Sequence, residues 1–385
     1  TRAVEPFAAA FLAIGLGTAW LAYAARPWVG LRWPAAIAAD LLVLWAALRL
    51  APSGPPQPGA EPSFSFFLLL AFALPFLYLG TFAVSTLVRR QAVTLFDAVQ
   101  SIAALTVGFG GAALVVRYVE DAQPTLGASA LLIAAGCYGV AFVFVERRQG
   151  HGRNFLFYAT LALLLTAWGS VLVGSVVFRG YLWCALALVS AALASRYARA
   201  TLAIHSAVYA AGAVWQSGLA AAALDALTGS AKVEWAPFSV AAACAIATAA
   251  LAYVLLVRQW GASGVVESRA PRTILALLFA FGAGGLAVAA FHDFPAGRDP
   301  GIVAALRTSV LAAAALLLAG AGRRFTLPEL SWLAYAVLIL GGIKLLLEDL
   351  PSGRPATLFL AFAVYGAALV LAPRLLRRSP PAAGA

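Results

Sequence analysis

Methionine is missing from all 385 residues, and ionisable side chains are nearly so: Asp, Glu, Lys and Arg together fill only 11% of positions. Soluble domains carry about 25% charge and about 45–50% apolar residues, whereas 63% of this chain is apolar. No segment is polar enough to form a separate soluble domain, so the length measures membrane-spanning helices rather than globular units. Cysteine is scarce. Cys137, Cys184 and Cys244 each lie inside an apolar run, without CxxC or Cys/His spacing, and this excludes a disulfide framework and a cysteine metal site. Enzyme signatures are missing as well: there is no HExxH, no GxSxG with triad partners and no phosphate loop. The sequence therefore names no catalytic residue, no metal and no cofactor.

The absent methionine carries an expectation of its own. A chain that opens on Thr1 is expected to follow an upstream segment, either an extra-cytoplasmic domain or one more helix. Its first apolar run lacks the basic start and clean cleavage site of a signal peptide, so it reads as a spanning helix.

What the sequence has in quantity is long apolar runs. Residues 328–378 state the rule: an apolar run over 330–347, a turn holding Glu348, Asp349, Pro351 and Pro355, then a second run over 356–371 that closes on Arg374, Arg377 and Arg378. Each run can cross about 30 Å of hydrocarbon at about 1.5 Å per helical residue. Thirteen such spans are expected, at about 6–25, 35–51, 64–88, 94–116, 126–145, 154–178, 181–195, 201–224, 237–257, 273–291, 302–321, 329–347 and 356–372. The fold class that follows is an all-α polytopic transmembrane bundle of successive hairpins, forming one membrane domain over 1–385. The seventh span is short and joined to the sixth only through Arg179-Gly180, which allows a tight hairpin or a partly re-entrant element. Pro75 is expected to kink the third span. Glycines 108, 110 and 111 in the fourth span, and 282, 284 and 285 in the tenth, mark close helix contacts.

The connections alternate in charge. Arginines cluster at 26 and 32, at 89 and 90, at 147, 148 and 153, at 196 and 199, at 258, 269 and 272, at 323 and 324, and at 374, 377 and 378. The intervening connections hold most of the acids, including Glu61, Glu120, Asp121, Asp225, Glu234, Asp293 and Asp299. By the positive-inside rule the arginine side is cytoplasmic, which puts the C-terminus inside and Thr1 outside. The net charge of +11 is thus topological. Without a long basic run or a basic helical stripe, no nucleic-acid partner is expected. Trp28, Trp33, Trp235, Trp260 and Trp332 fall near span ends and suit the interfacial belt.

Ionisable and amide groups at membrane depth are the functional candidates, because they are costly there unless paired or hydrated. They are Asp40, Asp97, Gln100, His205, Gln216, Arg307 and Lys344. Asp97 and Gln100 share a helix face. One reading makes Asp97, His205 and Lys344 a proton- or ion-coupled relay. The other has Asp40 and Asp97 pairing with nearby cytoplasmic arginines, Lys344 pairing with Glu348 one turn on, and His205 hydrogen-bonded in a helix interface. His292, Asp293 and Asp299 form the one outer-loop cluster able to bind a metal or act as acid and base.

The C-terminal hairpin resembles that of an uncharacterised family of very polytopic bacterial membrane proteins, known only as a domain of unknown function. The shared pattern is a helix ending in Lys344, leucines 345–347, Glu348-Asp349-Leu350, then Phe359, Phe362, Gly366 and Arg377-Arg378. The resemblance implies a long bacterial inner-membrane protein and brings no catalytic residues with it. The function expected is non-enzymatic: transport or accommodation of an apolar or lipid-like molecule, or service as a membrane-embedded subunit. An envelope-modifying enzyme using outer-loop acids is a third class. The partners expected are membrane lipids and other membrane subunits.

Overall fold

The computed structural model describes residues 29–51, 63–88, 92–117, 122–147, 152–230, 233–260, 269–292, 294 and 299–376, with single positions among the first seventeen. The expected first span, 6–25, thus lies largely outside the described residues. The described residues are helical apart from short turns and connections, with no strand among them. Among the described residues eleven helices are long and apolar enough to cross a membrane, and one further pair, bent by 71°, passes the same test together. The chain is an all-α polytopic membrane protein. Its contacts cluster in two compact units, Thr1–Gly174 and Ser175–Ala385, rather than in one.

The first unit holds α1 (Val29–Leu50), α2 (Phe64–Leu87), α3 (Leu95–Val116), α4 (Ala122–Arg147) and α5 (Gly152–Val173). Helix α2 continues through Pro75. Proline has no N–H, so the Ala71 carbonyl loses its helical donor. Gly108 of α3 packs there, so closely that a Cβ would lie 2.4 Å from the Ala71 oxygen and 3.0 Å from Pro75 Cδ. A π turn, Thr106–Gly110, occupies the same stretch of α3. Gly111 meets Ala47 of α1, whereas Gly110 faces open space rather than a helix. Helices α4 and α5 form a hairpin in which Gly127 and Gly169 bring the two backbones together.

The second unit holds α6 (Val176–Tyr197), α7 (Ala200–Gln216), α8 (Leu219–Thr228), α9 (Val240–Trp260), α10 (Arg269–His292), α11 (Pro300–Arg324), α12 (Pro328–Asp349) and α13 (Pro355–Leu376). Two boundaries differ from the sequence reading. The break after α5 falls at Gly174-Ser175, not at Arg179-Gly180, because Ser175 caps α6 by accepting the Phe178 N–H. The seventh span is therefore a full helix with Arg179 and Gly180 inside it. The eighth span is not continuous: Gly218, at φ +77, interrupts it and α8 turns away by 71°. Alanines 312, 315 and 319 of α11 pack against Ala334 and Leu338 of α12 and against Ala368 and Ala372 of α13. Small side chains at such seams let backbones approach closely, which is the main source of helix cohesion in lipid.

Candidate functional site

The intramembrane polar residues fall into separate local groups. In the first unit Asp40 is buried, and both of its carboxylate oxygens accept from Gln100 Nε2, at 3.1 and 3.0 Å. Its partner is an amide on α3, not a cytoplasmic arginine. Asp97 has a different job. It is the third residue of α3 and closes a capping box: Asp97 Oδ2 accepts the Thr94 N–H at 2.8 Å, and Thr94 Oγ1 accepts the Asp97 N–H. The box explains why an acid stands at the start of an apolar helix.

In the second unit His205 is buried on α7, its ring edge-on to Tyr209 at 6.5 Å. Gln216 is the last residue of α7 and stands half-buried just before the Gly218 break. Arg307 and Lys344 meet in one network through Glu348. It gathers at the C-terminal end of α8, where the last turn of a helix leaves carbonyls without helical donors. Arg307 supplies them. Its Nε donates to the Ala226 carbonyl at 2.8 Å, and one terminal nitrogen donates to Gly229 at 2.6 Å and Asp225 at 3.4 Å. The other terminal nitrogen pairs with Glu348 at 2.6 Å, and the guanidinium lies over the Trp235 ring, which stacks on His292. Trp235 is therefore part of this network rather than a simple interfacial anchor.

Lys344 completes the arrangement. Its ammonium donates to the Ala304 carbonyl, to Thr308 Oγ1 at 2.8 Å and to Asp349 Oδ1 at 2.6 Å, while Glu348 stands at 3.7 Å. The π turn Leu345–Asp349 is the reason. A π turn aligns residues five apart rather than four, so Asp349 takes the position expected for Glu348 and leaves Glu348 to Arg307. Thr308 donates to the second Asp349 oxygen. Two cations, two anions and the carbonyls satisfy one another, which makes the network a clamp joining α8, α11 and α12. Lys344's polar partners all lie on α11 and α12, so the relay reading, which needs Asp97 and His205, gains no link there.

Sequence reasoning missed a second buried pair. Arg272, counted with the connections, and Glu329, at the start of the expected span 329–347, are each 1% exposed at the side chain and stand 3.2 Å apart. The Tyr253 hydroxyl lies 3.5 Å from the same carboxylate. The available signal was Pro271 before Arg272 and Pro328 before Glu329, since proline favours the first helical turn and so places both charges inside helices. Of the cluster His292, Asp293 and Asp299, two residues are described, and His292 stacks on Trp235. Asp299 caps α11 through the Gly301 and Ile302 N–H groups and pairs with Arg354 at 3.0 Å, and Asp293 lies outside the described residues. Among the described residues no group of three His, Cys, Asp or Glu is placed to hold a metal.

Open space lies elsewhere. An apolar groove of about 590 Å³ runs between α9, α10 and α11. Ala250, Ala280, Ala283, Gly284, Ala313 and Ala314 make it deep, because small side chains leave volume that leucines would fill. Tyr253 and Leu330 line it, and Glu329 is the next residue to Leu330 and the partner of the Tyr253 hydroxyl. No protein-family model, no curated protein and no solved structure matches the chain.

Proposed function

We propose that this multi-pass membrane protein accommodates an apolar or lipid-like molecule in the groove between α9, α10 and α11. The observation that carries this reading is the groove itself. At about 590 Å³ it falls within the range of about 300–1,000 Å³ that ligand pockets occupy, and its walls are alanine, glycine and aliphatic side chains with Tyr253 and Phe279. Arg307, Lys344, Glu348 and Asp349 support the reading by satisfying one another away from the groove, in a clamp that holds α8, α11 and α12. The alternation of arginine-rich and acid-rich connections supports an orientation with the C-terminus inside and the N-terminus of this chain outside, and the resemblance of the C-terminal hairpin supports a bacterial cytoplasmic membrane setting.

The test is a spin-labelled lipid in nanodiscs holding the purified protein. An immobilised lipid component is expected, and a groove-filling Ala283→Phe variant of unchanged thermal stability should lack it. An immobilised component of equal size in the filled variant would refute the reading. A subunit role has one observation of its own. Phe359, Leu360, Phe362, Leu369, Val370 and Leu371 of α13 are all exposed, a face that lipid or a neighbouring membrane helix would cover.

A further inference from the structure

The buried carboxylates of the described residues differ in what answers their charge. Glu329 has Arg272, and Asp349 has Lys344. Asp97 is held by a backbone N–H in its capping box at the start of α3. Asp40 has a neutral amide: Gln100 Nε2 donates to both of its oxygens, at 3.1 and 3.0 Å. Among the described residues no ion pair joins Asp40 to a lysine, arginine or histidine. Its place is deep as well, eleven residues from Val29 and ten from Leu50 in α1.

The neighbouring helices bring no cation to it. Helix α1 packs on α2 and α3. The titratable group of α2 near Asp40 is the hydroxyl of Tyr78, also buried. From α3 come Gln100 and, one turn nearer the helix start on the same face, Asp97. Arg32 stands on α1 itself but eight residues earlier, about 12 Å along the axis at about 1.5 Å per residue. An uncompensated carboxylate is costly at such depth, and taking up a proton removes the cost. The amide suits both forms. Its N–H groups donate to the carboxylate, and its carbonyl oxygen accepts the O–H of the acid. An arginine in its place would hold the carboxylate ionised.

We infer that Asp40 and Gln100 form a proton-binding site, loaded from the arginine-rich side of the membrane. A proton from water adds to one Asp40 oxygen. Gln100 then accepts the new O–H through its amide oxygen while its nitrogen keeps the other Asp40 oxygen, and release reverses the step. Asp97 marks the way in, because α3 begins beside it and follows Arg89 and Arg90 in the sequence. The site lies in the first unit and owes nothing to the α9–α11 groove, so it adds a proton-linked property to a protein read as holding a lipid.

The test is pH-difference infrared spectroscopy on the full chain in nanodiscs. Wild type should show the C=O stretch of a protonated carboxyl group that fades as the pH rises, about tenfold per pH unit beyond its midpoint. Asp40→Asn should lack the band, and Asp40→Glu should return it at a shifted frequency. Gln100→Arg should keep Asp40 ionised and lose the band too. Dicyclohexylcarbodiimide, which attacks protonated carboxyl groups in apolar surroundings, gives a second reading on the unaltered chain. Peptide mass spectrometry should find its N-acylurea at Asp40, formed more slowly as the pH rises. A band or adduct at Asp40 that does not change with pH would make the acid a permanently neutral packing group and overturn the inference, and so would the absence of both. Loss of the band on adding sodium at fixed pH would assign the site to a metal cation and overturn it as well. Lipid at the α9–α11 groove is measured separately, so a failure here leaves the lipid reading standing.

Discussion

The π turn at Leu345–Asp349 makes a quantitative prediction about which acid Lys344 serves. Its ammonium stands 2.6 Å from Asp349 and 3.7 Å from Glu348. Asp349 is 2% exposed at the side chain, while Glu348 is 31% exposed and hydrogen-bonded to Arg307. A hydrogen bond to a charged group contributes about 1.5–3 kcal/mol in soluble proteins, but polar contacts inside membranes average about 0.6 and reach about 1.7 kcal/mol. The Lys344–Asp349 coupling should therefore be about 1–2 kcal/mol. The i,i+4 contact with Glu348, in the less favourable Lys-before-Glu order, should couple by about 0.5 kcal/mol or less. Two double-mutant cycles measure both, Lys344→Met with Asp349→Asn and Lys344→Met with Glu348→Gln, read by thermal unfolding in detergent. The first cycle should be clearly non-additive and the second nearly additive. A larger coupling to Glu348 than to Asp349 would refute the π-turn geometry and restore the simple helical pairing that the sequence suggests.

Three further outcomes follow from other parts of the molecule. Glu329→Leu strands Arg272 at 1% exposure and should cost about 3–5 kcal/mol; adding Arg272→Met should recover part of that loss, and a double variant less stable than the single one would contradict the pairing. On α4, Gly127→Ala should destabilise by about 1–3 kcal/mol, because its Cβ would meet Val173 Cγ2 at 2.6 Å and the Gly169 carbonyl at 2.8 Å. Gly136→Ala on the same helix meets nothing within 4 Å and should stabilise by about 0.5–1 kcal/mol, so equal effects at the two sites, measured by thermal unfolding, would undo the packing assignment. Ser268 lies in an arginine-rich connection outside the described residues, and Ser268→Cys should resist an impermeant thiol reagent applied to intact cells; labelling from outside would invert the topology.

Hydropathy located the helices because crossing a membrane demands a long apolar run, and that demand is local. The sequence could not show where a run breaks when apolarity continues across the break. Gly174-Ser175 and Ser217-Gly218 sit between apolar stretches, and only capping and backbone conformation decide them. The candidate residues divide in the same way. Lys344 was legible as a charge needing an acid, but the choice of Asp349 over Glu348 depends on one extra residue in a turn. Arg307 was legible as a buried cation, whereas its main partners are backbone carbonyls at the C-terminal end of α8, freed where that helix stops at Thr228. Arg272 and Glu329 lie far apart in the chain and near helix starts, so Arg272 resembled a connection charge and Glu329 passed as the edge of a span. Their pairing is a property of how α10 and α12 align. The groove was invisible for a similar reason, since an alanine facing an open space and an alanine at a close seam are the same letter.

The account stands most directly on whether the α9–α11 groove holds a lipid. Native mass spectrometry of the purified full chain, after exhaustive detergent exchange, measures this without any assumed substrate. The protein should retain one lipid-mass adduct that is missing from Ala283→Phe, with the two chains equally folded by circular dichroism. A wild-type chain that emerges with no adduct, or an adduct that persists undiminished in Ala283→Phe, would contradict the account.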